Sequence, residues 1–321
     1  MSYFEDPPDG EEPRRRTRSD PPQRRPAPRP DRERRPAPRP DRERRAGRRP
    51  ERKRRRRQGS ETRARVLTAI PAILFAVVII AYGGEIFAAG LFGLGVLAMH
   101  ELYTLMRRVR PIDLAGFIAM LGLVLAALYG GPQEMLIVLL ASFPLVFALA
   151  VIRPRRENVS WGIAVTLFGV LWIGLPIAHA VLIRELPNGG GLMLDILIGT
   201  FIGDTCAYFG GRAWGRRRLA PLISPNKSLE GLLAGIAGGT LAFWGFAVAY
   251  QDWFSGTDAL IIGLCVALAA PVGDLFESMV KRDLETKDTG SFFGAHGGVL
   301  DRIDAALFSV VVGYYAALLI L

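Results

Sequence analysis

VLTAIPAILFAVVIIAYGGEIFAAGLFGLGVLAM, residues 66–99, carries one ionisable acid, Glu85, and no basic side chain. The hydrocarbon core of a bilayer takes about 20 helical residues to cross, so this stretch reads as most of two crossings, 66–84 and 86–106. The same reading extends through the rest of the chain. Further apolar stretches fall at 112–131, 134–152, 160–183, 191–211, 229–250, 257–280 and 303–321. The expected fold is an all-α integral membrane protein with about nine transmembrane helices.

Towards the N-terminus the composition reverses. Of the 321 residues, the first 60 hold 22 of the 40 Lys and Arg but only 11 of the 30 Asp and Glu. The high pI therefore belongs to this segment, and the remainder is nearly neutral and very apolar. An ordinary soluble domain needs far more surface charge than that. The segment repeats RRPAPRPDRE at 24–33 and 34–43 and holds 12 of the 22 prolines. It cannot bury enough apolar surface to offset its ordering entropy, so residues 1–62 are expected to be a disordered cytoplasmic tail, with 63–321 the membrane domain. Attraction to anionic lipid, roughly 1 kcal/mol per basic residue at the surface, accounts for the arginines without specific nucleic-acid binding. Cys206 and Cys265 sit in apolar runs and exclude a disulfide scaffold or a CxxC zinc site, and the three dispersed histidines make a His-rich metal site improbable.

The connections supply an orientation through their Lys and Arg. With the tail inside, the inner loops carry Arg107, Arg108 and Arg110, then Arg153, Arg155 and Arg156, then Arg212, Arg216, Arg217, Arg218 and Lys227, and finally Lys281, Arg282, Lys287 and Arg302. The opposite loops hold only Arg184. The expectation is a multi-pass inner-membrane protein, N-terminus inside and C-terminus outside. Two inner segments, 212–228 and 281–302, are long, mixed in charge and rich in glycine, which places the working face on the cytoplasmic side.

Ionisable groups within apolar segments are costly and call for a partner or a function. Glu101 is expected to pair with Arg107 or Arg108, and Asp195 to reach water at the outer end of its span. Asp204 lies in IGDTCAYFGGR, which ends in Arg212, and SPNKSLEG (224–231) follows with Ser224, Lys227 and Glu230. A serine and a lysine before a helix start suit phosphate capture by backbone N–H groups and an ammonium. GRAWGR (211–216) resembles a Walker loop only superficially, lacking the Lys-Ser/Thr pair.

The densest signal is GDLFESMVKRDLETKDTGSFFGAHGGVLDRID, residues 273–304. Asp274, Glu277, Ser278 and Lys281 share one helical face by spacing. Asp301 and Asp304 share another at the mouth of the last span. Between them lie Lys287, Asp288, His296, Gly297 and Gly298. Carboxylates from two helix ends beside clustered cations are the composition expected for Mg2+, with room for a second monovalent or divalent cation, and a polyphosphate. Asp274 and Asp301 are the expected metal ligands, with Asp304 third. Lys227, Lys281, Arg282, Lys287 and Arg302 are the candidates for phosphate groups.

This pattern resembles the signature of the phosphatidate cytidylyltransferases, the CDP-diacylglycerol synthases. The likeness covers about residues 66–321 and is most specific over 274–304. It departs at Arg216, where a lysine is common, and is silent on the first 60 residues. The resemblance implies transfer of the cytidylyl group of CTP to phosphatidate, giving CDP-diacylglycerol and pyrophosphate in phospholipid biosynthesis. It implies Asp274, Lys281, Asp288, Asp301 and Arg302 as catalytic, and Asp204, Arg212, Ser224, Lys227, Glu230, Ser278, Arg282, Lys287, His296, Gly297 and Gly298 as substrate-binding. Since the attacking phosphate is already ionised, no strong general base is required, and His296 is expected to donate a hydrogen bond or order the glycine loop. A homodimer is compatible with this reading. The rival readings are a CTP-dependent polyprenol or phytol kinase and, in another class, a secondary transporter. The polar residues crowd into the C-terminal half, against the repeated halves of many transporters. The DG-x₂-AR motif of CDP-alcohol phosphotransferases is absent.

Overall fold

In the computed structural model the apolar stretches fold as helices, and residues 71–153, 157–286, 289–290 and 297–321 are described. α1 covers Pro71–Tyr82, α2 Gly84–Leu105, α3 Asp113–Tyr129 and α4 Pro132–Ile152. α5 runs through Val159–Glu185 with a π-helical turn at Val170–Gly174. α6 is Gly189–Trp214, α7 Leu229–Tyr250, α8 Gly256–Asp283 and α9 Leu300–Ile320. Between α6 and α7 two short strands, β1 (Arg218–Ala220) and β2 (Ser224–Ser228), pair antiparallel with Arg218 opposite Ser228. The protein is a helical membrane protein with one small hairpin among the described residues.

Seven of the helices are long and apolar enough to cross a bilayer. The other two expected spans correspond to the shorter α1, which begins at the first described residue, and α3. With 17 residues, α3 is about 25 Å long, somewhat short of a hydrocarbon core of about 30 Å. The proposed tail at 1–62 lies outside the described residues.

Three boundaries move in ways that matter. α6 continues to Trp214 and α8 to Asp283, while α9 begins at Leu300. Lys281 and Arg282, expected in a loop, are therefore helical, and Asp301 and Asp304 stand within the first two turns of α9. The segment 212–228, expected as an open loop, contains the hairpin.

The packing differs between the two halves. In the N-terminal half, large side chains fill the interior: Phe87, Met99, Leu102 and Tyr103 of α2 meet Met120 and Leu123 of α3 and Ile173 of α5, each at most 1% exposed. Tyr103 Oη also donates to the Thr166 carbonyl at 2.8 Å. In the C-terminal half, α6 and α7 make the most extensive helix pairing in the chain, through glycines. Gly199, Gly203, Ala207 and Gly211 recur every fourth position and face Gly231, Gly235 and Gly239 at the same spacing. A Cβ at Gly235 would lie 3.1 Å from the Gly203 carbonyl oxygen, and one at Gly239 would lie 2.8 Å from that of Gly199. Apolar surface gains little by leaving lipid for another apolar surface, so helices in a bilayer associate by close van der Waals contact, and small residues permit it.

Candidate active site

Ser255 caps the start of α8, its hydroxyl accepting from the Asp258 N–H at 3.1 Å. α8 then runs to Gly273, where a Cβ would fall 3.1 Å from the Cα of Ala305. That missing side chain lets α9 approach directly beside Asp274. The carboxylates of Asp274 and Glu277 consequently meet that of Asp304, with one oxygen of each lying within 4.8 Å of the others.

Two lysines flank this triad. Lys281, one turn beyond Glu277, places Nζ 2.5 Å from Glu277 Oε2 and 3.0 Å from Asp301 Oδ1. Lys227 reaches in from β2, its Nζ 2.6 Å from Asp274 Oδ2. Glu277 is 1% exposed, and its Oε1 has no hydrogen-bond partner among the described residues. A buried carboxylate oxygen without a donor, crowded by other carboxylates, is costly unless a cation satisfies it. The donor set suits magnesium, which takes a few carboxylates and completes its shell with phosphate oxygens and water.

The triad opens on a cavity of about 740 Å³. Its opposite wall is the glycine seam of α6 and α7, and Asp204, Arg212, Ser224 and Lys227 also line it. Asp204 faces Asp274, Asp304 and Lys227 closely enough to interact electrostatically. Arg212 donates from Nη1 to Tyr208 Oη at 3.2 Å. Asn226, not singled out by the sequence reading, lines the same space.

Other expected residues hold the frame. Glu230, in the first turn of α7, accepts the backbone N–H of Arg216 at 3.0 Å and that of Arg217 at 3.2 Å, which fixes the chain's entry into the hairpin. Ser228 caps the same helix by accepting from the Gly231 N–H at 3.1 Å. Arg282 donates to the Ile223 carbonyl at 3.1 Å and so ties the end of α8 to the hairpin turn. Ser278 Oγ stands 3.5 Å from Asp274 Oδ1. Arg302 is exposed on the first turn of α9. Lys287, Asp288 and His296 lie outside the described residues.

The carboxylate group differs from the expected trio of Asp274, Asp301 and Asp304. Asp301 also lines the cavity, but its carboxylate receives Lys281, the Gly298 N–H at 2.7 Å and the Thr289 N–H at 3.1 Å. Glu277 takes its place beside Asp274 and Asp304. Spacing put Glu277 on the right face, but only the approach of α9 at Gly273 shows which acids converge. Gly297, at φ +85°, and Gly298 turn the backbone onto Asp301, so the Gly298 N–H is spent on an internal carboxylate.

Glu101 and Asp195 also depart from expectation. Glu101 does not pair with Arg107 or Arg108 but accepts the N–H groups of Val299 and Leu300, each at 3.0 Å. Its position near the C-terminal end of α2, shortly before a cluster of arginines, gave no signal of a contact about 200 residues away. Asp195 is 2% exposed and accepts from Gln251 Nε2 rather than reaching water.

The sequence matches the cytidylyltransferase family over residues 63–320. A phosphatidate cytidylyltransferase of Staphylococcus epidermidis is 30% identical over 251 residues, spanning 77% of this chain and 95% of that protein. One from Bacillus subtilis is 29% identical over 264 residues, 79% of this chain and 97% of its own length. One from Pseudomonas aeruginosa is 32% identical over 213 residues, covering 63% and 76% of the two chains. The match runs through the glycine seam, the hairpin and both helices of the carboxylate triad, and on that extent the chain belongs to the cytidylyltransferase family.

Proposed function

We propose that this protein is a phosphatidate cytidylyltransferase, forming CDP-diacylglycerol and pyrophosphate from CTP and phosphatidate. The observation that carries the reading is the lysine-flanked triad of Asp274, Glu277 and Asp304 set in a cavity between membrane helices. Such a site can hold two polyanions together where neither could otherwise approach the other.

In the reaction a phosphate oxygen of phosphatidate forms a bond to the α-phosphorus of CTP. The bond from that phosphorus to the bridging β-phosphate oxygen breaks, and pyrophosphate leaves with the electron pair. Phosphatidate is already an oxyanion near neutral pH, so the side chains need to position and neutralise rather than remove a proton. Asp274, Glu277 and Asp304 would hold magnesium, which supplies charge neutralisation on the phosphates as the leaving group departs. Lys227 and Lys281, now spent on carboxylates, are placed to turn towards phosphate oxygens, while Arg212 serves the rim.

The orientation belongs to the same proposal: N-terminus and cavity mouth cytoplasmic, C-terminus outside. CTP cannot cross a bilayer unaided, and the Lys and Arg asymmetry puts the hairpin on the same side. A single cysteine at Ser224, in a background lacking Cys206 and Cys265, should resist an impermeant thiol reagent in intact cells, and one at Ser255 should react. The reverse pattern would invert the assignment.

The activity is tested by incubating purified protein with phosphatidate, magnesium and CTP labelled in the cytidine. Label should pass to lipid with stoichiometric pyrophosphate. Release of CDP with phosphorylation of a lipid alcohol would instead indicate a kinase.

A further inference from the structure

We propose that Glu101 of α2 is a positioning residue for the carboxylate triad, acting through the first turn of α9; this rests on the proposed reading of the triad. The first N–H groups of a helix have no partner within it and must find acceptors elsewhere. α9 has no side-chain cap of its own at Val299. Glu101 supplies both acceptors, Oε1 to the Val299 N–H and Oε2 to the Leu300 N–H, each at 3.0 Å and buried. A carboxylate at a helix N-terminus is also favoured by the partial positive charge there.

Its grip extends beyond the helix end. Gly290 and Gly298, at the two ends of the glycine-rich connection, are packed so closely on the Glu101 carboxylate that a Cβ at either would collide with it. Asp301 holds the same two ends through the Thr289 and Gly298 N–H groups. Two carboxylates thus clamp one backbone, Glu101 from the side of α2 and Asp301 from the side of Lys281. Asp304 follows one turn later on α9, so the clamp fixes its distance from Asp274 and Glu277. These donors are committed to protein carboxylates, which leaves phosphate groups to the lysine side of the cavity.

Glu101→Gln tests this, because it preserves volume but turns an amide NH₂ against one of the two backbone donors. Glu101→Asp is one methylene short and reaches one donor. Glu85→Gln, on the same helix but bonded to Tyr129 Oη, is the control. Mn2+ binding to the detergent-purified protein, read by electron paramagnetic resonance, gives a measure independent of turnover. Hydrogen exchange of peptides covering 297–306 gives another.

Glu101→Gln should weaken Mn2+ about tenfold, speed exchange over 297–301 and lower kcat about tenfold. The KM for phosphatidate should change less than twofold. Added magnesium should recover part of the rate. Glu101→Asp should fall between wild type and Glu101→Gln, and Glu85→Gln should match wild type. Wild-type Mn2+ affinity and kcat in a Glu101→Gln protein that merely melts earlier would overturn the proposal and leave Glu101 a stabilising contact. Failure of the wild-type protein to make CDP-diacylglycerol would count against the functional reading alone, since Mn2+ binding and exchange would still report on the clamp.

Discussion

Two walls face each other across the cavity, and they are built on opposite principles. The α6–α7 wall is backbone against backbone, with Gly199, Gly203 and Gly211 meeting Gly231, Gly235 and Gly239, and Asp204 its one acid. The α8–α9 wall concentrates Asp274, Glu277, Lys281, Asp301 and Asp304. Shape comes from the first wall and charge from the second. The glycines allow the helices to close tightly while leaving room beside them, and Gly273 lets α9 bring Asp304 to the acids of α8.

The comparison breaks most sharply at the charged wall. Asp274→Asn or Asp304→Asn should each cost at least about 100-fold in kcat, because a positioned electrostatic stabiliser is worth a few kcal/mol. Melting temperature should hold or rise in Asp304→Asn, which relieves like-charge crowding without removing the carboxylate partner of Lys227. Near-normal turnover in cytidylyl transfer to lipid would remove the triad from the chemistry.

The glycine wall should respond in the other sense. Gly235→Leu places bulk where a Cβ would already stand 2.8 Å from that of Ala207. Overpacking of this kind costs about 1–3 kcal/mol, so melting temperature should fall and turnover drop about tenfold. An unchanged melting temperature would show that the seam can open freely.

Lys227→Met tests whether the hairpin belongs to the charged wall. Its loss should raise the KM for CTP roughly tenfold, while Lys227→Arg, keeping the charge but not the geometry, should recover part of it. Equal KM values in all three proteins would confine Lys227 to a structural pairing with Asp274.

The smallest effects belong to residues outside both walls. Glu230→Gln should leave kcat within about threefold, since one amide oxygen can still accept from the hairpin entry at a cost of about 1 kcal/mol. Deleting residues 1–60 should leave turnover in detergent within about twofold. Total loss in a correctly inserted truncation would bring that segment into the site.

Much of this was legible from the residues alone. Apolar length predicted the helices, and i, i+3 and i+7 spacing predicted that Asp274, Glu277 and Lys281 share a face. The four-residue recurrence of Gly and Ala in α6 and α7 was also present and could have identified the seam. Periodicity could not tell which of Asp301 and Asp304 meets Asp274 and Glu277, because the two share a helix face and differ in the Lys281 and backbone N–H groups that hold Asp301. Nor could it find Glu101, whose acceptors are backbone groups and leave no mark on residue type. The hairpin escaped for a related reason: SPNKS has little strand propensity and is held instead by Glu230 and Arg282.

Asp274 stands about 14 Å along the axis from the end of α8 at Asp283. The triad therefore lies about two and a half helical turns inside the end of α8 rather than at its tip. A lipid substrate that entered sideways from the bilayer would not have to be lifted out. Withdrawing acyl chains into water costs about 0.8 kcal/mol per methylene, so lifting two sixteen-carbon tails would forfeit roughly 25 kcal/mol, more than any binding site returns. For the proposed reaction the nucleotide would make the descent, and the carboxylates, the lysines and any cation they hold would receive it.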